Sequence, residues 1–208
     1  MVISGSFLKI EKDNKAIKEL ALRVPQIHFD VMDGEFTENK TVNPSDISFG
    51  YLTPKIDVHL MVLDVPKYVD MISVFNPIYI TFHVEIGNTL ENINYIKSCG
   101  YKVGIAINPG TDFKLIYPFL DVIDLVLVMS VKAGASGQAF IDISDRIEEL
   151  CKYREDNGLS FVIEVDGGIN DKTIKKIRKA DICVVGSFIT DSKDYEGQIE
   201  ILRRSIDE

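Results

Sequence analysis

Eight short runs of β-branched and apolar residues recur along the whole chain, each followed by a segment with helical spacing, and this alternation narrows the choice of fold more than any other feature. The runs are Val2 to Leu8, Gln26 to Met32, Ile56 to Val62, Ile78 to Val84, Lys102 to Ile107, Leu125 to Val131, Phe161 to Val165 and Ile182 to Val185. Between them, Ile17, Leu20, Ala21 and Val24 fall at i, i+3, i+4 and i+7, while Ile143, Ile147, Leu150 and Cys151 fall at i, i+4, i+7 and i+8. Helices with one buried face require such spacings. Repeated βα units of this kind make a parallel sheet covered by helices. With 208 residues shared among eight units, about 26 apiece, the expected fold is a compact, single-domain (β/α)8 TIM barrel over residues 1–208. An open doubly wound sheet is the rival, but eight evenly spaced strands without a dinucleotide fingerprint favour closure.

An apolar content of 46% is enough for a sizeable core, and no linker, low-complexity tract or charge block marks a second domain. The 23 Lys and Arg against 32 Asp and Glu leave a net charge of −9, and no local basic patch stands out, which argues against nucleic acid and anionic membrane as partners. No window resembles a membrane span, and Met1 to Ser6 lacks the basic flank and apolar run of a signal peptide, so a cytoplasmic location is expected. Cys99, Cys151 and Cys183 are far apart and odd in number, which suits fillers better than a disulfide framework or a thiolate zinc site.

Loops at strand C-termini are where a barrel keeps its chemistry, and the polar oddities of this chain gather there. All three histidines, His28, His59 and His83, lie in strand-like runs. Alternation turns His28, Asp30 and Met32 to one face, and His59 and Met61 to one face of the next strand, which in a barrel is the interior. Asp166 ends the seventh run and projects toward the same mouth, with Glu164 on the same face. Inward carboxylates need a cation or dense hydrogen bonding to offset several kcal/mol of desolvation. Two imidazoles and two carboxylates match the ligand set of a divalent transition metal such as zinc, iron(II) or manganese; polar residues of a solvated barrel mouth are the alternative. Glycine-rich turns follow the late strands, Gly134 to Gln138, Gly167-Gly168 and Gly186-Ser187, where barrels often close backbone N–H groups around a phosphate.

Taken in order, His28-x-Asp30-Val31-Met32-Asp33-Gly34, Val58-His59-Leu60-Met61-Val62, Phe82-His83-Val84-Glu85, Val103 to Thr111, Val128-Met129-Ser130-Val131 and Glu164-Val165-Asp166-Gly167-Gly168-Ile169 resemble the signatures of the ribulose-phosphate 3-epimerase family. The resemblance implies a cytoplasmic, homo-oligomeric barrel enzyme interconverting D-ribulose 5-phosphate and D-xylulose 5-phosphate in the pentose phosphate pathway. It implies His28, Asp30, His59 and Asp166 as ligands of one divalent ion, Zn2+, Fe2+, Mn2+ or Co2+. Asp30 and Asp166 would be the acid and base, one on each face of the C3 centre, exchanging its proton through an enediolate. Ser6, His59, Met32, Met61 and Met129 match substrate-contacting positions, although the methionines could equally be core filling and Ser6 a plain strand-end hydroxyl. Gly137, Gly167, Gly168, Gly186 and Ser187 match the phosphate site. His83 matches a family position outside the metal set and is expected to support a ligand or to pack.

The chain departs from the family pattern at three loops. Lys9-Ile10-Glu11 replaces a small Ser-Ala-Asp-like turn, Glu35 to Asn39 replaces His-Phe-Val-Pro-Asn, and Lys132 to Gln138 replaces Glu-Pro-Gly-Phe-Gly-Gly-Gln. The last change removes an aromatic from the closing loop and reverses a charge. A hexulose-phosphate substrate, as in D-allulose-6-phosphate 3-epimerase, is therefore the nearest alternative, and a non-catalytic sugar-phosphate-binding barrel is the alternative from another class.

Overall fold

The β-branched runs become strands because both of their faces find cover. In the computed structural model, which describes residues 1–207, the strands are β1 (Val2–Ser6), β2 (Gln26–Met32), β3 (Ile56–Met61), β4 (Tyr79–His83), β5 (Lys102–Ile107), β6 (Leu125–Met129), β7 (Val162–Asp166) and β8 (Ile182–Val185). They pair parallel in sequence order, and β8 returns to β1 through Ile3↔Cys183 and Ser4↔Val184. The sheet is therefore a closed barrel without an edge, as expected, and not an open doubly wound sheet. All eight runs lie on strands with slightly shifted ends. Leu8 opens a 3-10 turn (Leu8–Ile10) instead of extending β1, β6 stops at Met129, and Asp166 is the last residue of β7.

The helical cover is thinner than the alternation predicts. Helices α1 (Asn14–Ala21), α2 (Val65–Ile72), α3 (Thr89–Ser98) and α4 (Ser144–Asp156) follow β1, β3, β4 and β6, and α5 (Ser187–Thr190) with α6 (Tyr195–Asp207) follows β8. After β2, β5 and β7 the chain makes only 3-10 turns. Pro44 and Pro118 sit in the first turn of the 3-10 segments of the first two of these connections, a position that Pro66 also holds in the regular helix α2. After β7, a turn in which Asn170 Oδ1 accepts from the N–H groups of Lys172 and Thr173 leaves room only for Ile174–Ile177. Where helices do form, their ends are set locally: the Asp13 carboxylate accepts from the N–H groups of Lys15 and Ala16 and starts α1. Ile17 and Leu20 are then buried, with Leu20 close over Gly5, and Val24 is buried beyond the helix end.

Alternation along the strands divides the interior into two regions. Val58, Leu60, Val126, Val128, Ile163 and Val165 point outward into the main core between sheet and helices and are fully buried. Each contributes about 1.5–3 kcal/mol relative to exposure. Within the barrel, Ala106, Leu125, Leu127, Met129 and Ile182 from β5, β6 and β8 form a second apolar cluster. The opposite wall, from β1, β2, β3 and β7, carries Ser4, His28, Asp30, Asp57, His59 and Glu164, all buried. Gly104 keeps the two walls in register, because a Cβ there would lie 2.3 Å from Thr81 Oγ1 and 3.0 Å from Leu125 Cδ2. Gly104→Ala is accordingly expected to destabilise the fold by about 1–3 kcal/mol in urea unfolding, and a change within about 0.5 kcal/mol, ordinary for a surface site, would disprove this contact. No helix among the described residues is long and apolar enough to cross a membrane.

Candidate active site

Register assembles the polar wall. β2 and β3 pair with His28 opposite Asp57 and Asp30 opposite His59, so neighbouring strands present two imidazoles and two carboxylates to the same side. Asp166 reaches this group from the end of β7, across β8 and β1. One donor atom each from His28, Asp30, His59 and Asp166 lies within 4.8 Å of the other three. Asp166 is the most open of the four, its side chain 18% exposed, whereas the two histidines lie buried beneath the mouth.

Each ring nitrogen has a definite role. His28 Nδ1 pairs closely with Asp57 Oδ1, and Asp57 Oδ2 accepts from Ser4 Oγ at 2.8 Å and from Gln26 Nε2. A carboxylate only accepts, so His28 carries a hydrogen on Nδ1 toward Asp57, and Nε2 is the ring atom left to give up its proton to a cation. That Nε2 is buried without a hydrogen bond, 3.3 Å from Asp30 Oδ1. His59 Nδ1 lies 3.1 Å from the same Asp30 oxygen and 4.0 Å from Asp166 Oδ2, while Asp30 Oδ2 accepts from Ser6 Oγ at 2.8 Å. An orphaned imidazole nitrogen facing carboxylate oxygens is a set of donors that a divalent cation completes, so the residues present fit such an ion. Asp57 and Gln26, which hold His28, were not among the expected site residues; Asp57 shares the alternating face of His59, and that parity was the signal for it.

The electrostatics set the two aspartates apart. Burial pushes the Asp30 carboxyl up, but the His28 charge beside it outweighs burial and holds Asp30 well below the usual carboxylate range. Burial and the Asp30 charge push Asp166 up to about 7. For His28, burial opposes the charged ring, yet Asp57 and Asp30 raise its pKa well above the ordinary value. Burial lowers His59, and lowers His83 to about 4, leaving both rings neutral near pH 7. Glu164 points into the barrel as its parity requires, with both oxygens buried and without a hydrogen bond, and burial together with the Asp57 charge pushes its carboxyl well above the ordinary value.

Most of the expected residues meet in one cavity at the strand C-termini. Ser6, Asp30, Met61, Met129 and Asp166 line its floor, and Gly137, Gly167, Gly168, Gly186 and Ser187 line one side. Gly167 and Gly168 both have positive φ, +113° and +60°, and a Cβ on Gly167 would lie 2.5 Å from Val131, so backbone alone can form this wall. Met32 stands apart: beyond it the chain turns outward, its N–H donates to Thr41 Oγ1, and it lines a separate cleft with Thr41 and Lys40. The altered loop after β6 is held by its own residues. Gln138 Nε2 donates to the carbonyls of Lys132 and Ala135 at 2.6 and 2.9 Å, and Asn39 Nδ2 from the loop after β2 donates to Gly134 O at 2.7 Å. Among the residues lining the cavity, Lys132 is the one side-chain cation, facing the same space as Asp30 and Asp166.

Residues 1–190 match the Ribulose-phosphate 3 epimerase family. The chain is 33% identical over 213 residues to ribulose-phosphate 3-epimerase of Escherichia coli strain K12, covering 99% of this chain and 93% of that protein. It is 36% identical over 219 residues to the chloroplastic ribulose-5-phosphate-3-epimerase of Arabidopsis thaliana, covering 98% and 75%. Among solved structures, 3-hexulose-6-phosphate synthase from Salmonella typhimurium superposes with a TM-score of 0.70 at 17% identity, covering 99% and 98% of the two chains. KGPDC from Streptococcus mutans does so at 0.68 and 13%, covering 99% and 97%. These structural likenesses show the barrel fold, whereas full-length identity above 30% with named epimerases, and a family match over nearly all of the sequence, place the chain as an epimerase of the ribulose-phosphate 3-epimerase family.

Proposed function

We propose that this protein interconverts D-ribulose 5-phosphate and D-xylulose 5-phosphate, one of Asp30 and Asp166 removing the C3 proton from one face while the other delivers its own proton to the opposite face, the roles reversing in the back reaction. The observation that carries this reading is geometric: Asp30 and Asp166 both line the cavity at the strand ends, within one cluster whose donor atoms, with those of His28 and His59, lie within 4.8 Å of one another, and burial and charge hold Asp30 low while raising Asp166. Epimerisation removes a proton from one face of a carbon and returns one to the other, which calls for one base and one acid at the same moment. Ser6 Oγ fixes the orientation of Asp30, and Asp166 sits at the more open position on the other side of the cluster. His28, Asp30, His59 and Asp166 would hold a divalent cation, and zinc, iron(II), manganese(II) and cobalt(II) all suit this donor set. When bound, such an ion supplies a Lewis acid that steadies negative charge on the ketose oxygens as the C3 proton leaves.

The phosphate is assigned to the glycine wall, where Gly167 and Gly168 after β7 and Gly186 and Ser187 after β8 line the cavity and Ser187 opens α5. Met61 and Met129 line the floor and keep it apolar around the reacting carbon. The test is to supply a divalent metal and D-ribulose 5-phosphate in deuterium oxide and to follow C3 deuterium and xylulose 5-phosphate by NMR. Deuterium at C3 of both epimers is the expected result. A more than about tenfold rate advantage for a hexulose 6-phosphate, about 1.4 kcal/mol in transition-state binding, would reassign the substrate. Tight sugar-phosphate binding without any exchange would make the barrel a binding protein.

A further inference from the structure

His83 is fully buried and has no task in the chemistry proposed above, yet it touches the cluster. Its contacts form a line: Asp30 Oδ1 to His59 Nδ1 at 3.1 Å, His59 Nε2 to His83 Nε2 at 2.8 Å, and His83 Nδ1 to Glu85 Oε2 at 3.0 Å. Three contacts call for three hydrogens, and two neutral imidazoles carry two. One contact must go without, and the surroundings decide which.

Glu85 fixes the outer end. Its carboxylate can only accept, and it lies nearer to His83 Nδ1 than does Asn108 Nδ2, at 3.4 Å. The amide of Asn108 is itself oriented, because its Oδ1 accepts from the N–H of Ala133 at 2.9 Å. The hydrogen of His83 therefore sits on Nδ1, and its Nε2 is left to accept. His59 then donates from Nε2, and the missing hydrogen falls at the Asp30 end, where His59 Nδ1 presents a lone pair. Glu85 has no freedom to turn, since its Oε1 accepts from the N–H of Asn108 at 2.8 Å and from Thr111 Oγ1 at 2.6 Å. The His83 ring is also covered by Phe36, ring centroids 4.7 Å apart.

Given the divalent-cation reading above, on which this rests, we propose that His83, braced by Glu85, is a positioning residue that fixes His59 as its Nε2–H tautomer, so that Nδ1 faces the other cation-binding atoms. With both rings neutral and Asp30 ionised, the contact beside Asp30 lacks a hydrogen, and that is the place a cation would fill. It differs from the support of His28, where a carboxylate touches the ligand ring directly: here a second imidazole is interposed, and it relays the choice made by Glu85.

The test compares zinc affinity, by competition with a chelator, in the wild type, His83→Leu and His83→Gln, alongside ring-nitrogen NMR spectra of the zinc-loaded wild type. His83→Leu removes the acceptor and is expected to weaken zinc binding about 10–100-fold. His83→Gln, whose Oε1 can accept from His59 Nε2–H, is expected to recover most of that loss, which a merely space-filling role would not predict. The spectra should show hydrogen on Nε2 of His59 and on Nδ1 of His83. A His83→Leu protein that binds zinc as tightly as the wild type, or a His59 ring with hydrogen on Nδ1, overturns the proposal while leaving the cation site standing. A wild type that takes up none of zinc, iron(II), manganese(II) and cobalt(II) overturns both. Should His83→Leu fail to fold, the wild-type ring spectrum decides alone.

Discussion

Asp166→Asn is expected to lower the rate of epimer formation by about 10²–10⁴-fold, the range typical of losing a positioned general acid or base. Asparagine keeps the volume and the polar contacts of the site but carries no transferable proton, and Asp166 is the member of the pair whose carboxyl is held neutral up to about pH 7. Asp30 remains in place, oriented by Ser6 and ionised. The variant should therefore still exchange the C3 proton of one epimer with deuterium oxide, returning deuterium to the face from which the proton came, while failing to make the other epimer. Asp30→Asn should show the reciprocal preference. Metal content must be measured in both variants, because Asp30 and Asp166 are also candidate ligands. Loss of exchange from both epimers together with loss of metal would assign Asp166 to metal binding alone. Epimerisation at near wild-type rate would remove it from the mechanism.

Stripping the divalent ion is expected to have the second large effect, on stability. A ligand present at about a thousand times its Kd stabilises the folded state by roughly 4 kcal/mol, worth about 8–16 °C in Tm for a chain of this size. The gap between loaded and stripped protein should widen from pH 6.5 to pH 8, for the following reasons of sign. His28 has its folded pKa raised above the ordinary value of 6.5, so the stability it contributes to the stripped protein is complete below 6.5 and is lost as pH rises through the folded value. Asp166, raised to about 7, likewise stabilises the stripped protein at low pH and has lost that contribution once pH passes 7. His59 and His83, both lowered, are neutral folded and unfolded above 6.5, and Asp30 and Glu85 are ionised in both states, so none of them opposes the trend. A bound cation replaces these protons and binds more tightly as they leave. Thermal melts with and without chelator across this range check the prediction, and a gap that stays constant would contradict it.

How much of this was legible in the chain depends on whether the signal was local. Strands were, because runs such as Leu125 to Val131 and Ile182 to Val185 are β-branched, and in a parallel barrel nothing polar needs to interrupt them. Their ends were less so: Leu8 is apolar yet leaves the sheet, since the turn at Leu8–Ile10 is set by the loop it joins. Regular helices after β2, β5 and β7 were expected and are absent, and the first-turn prolines Pro44 and Pro118 gave no signal of it, since Pro66 stands at the same place in the regular helix α2. His28, Asp30, His59 and Asp166 could be grouped from parity alone, because strand alternation carries straight into three dimensions. The brace on His59 could not, since Glu85 lies on the turn after β4 and acts only through the folded line of rings. Met32 shows the limit of the same parity: it shares the face of Asp30 and pairs with Met61, but it ends its strand and lines a neighbouring cleft with Lys40 and Thr41.

The closure of β8 onto β1 has a consequence for the order of events in biosynthesis. His28, Asp30 and His59 lie on adjacent early strands, but Asp166 lies on β7 and reaches them only across that seam. A ribosome-bound chain that has not yet released its last two strands holds three of the four donors and no barrel to dehydrate them. The four donors of the proposed cation site are therefore brought together only by the finished barrel, and a chain that lacks its last two strands is left without the full set.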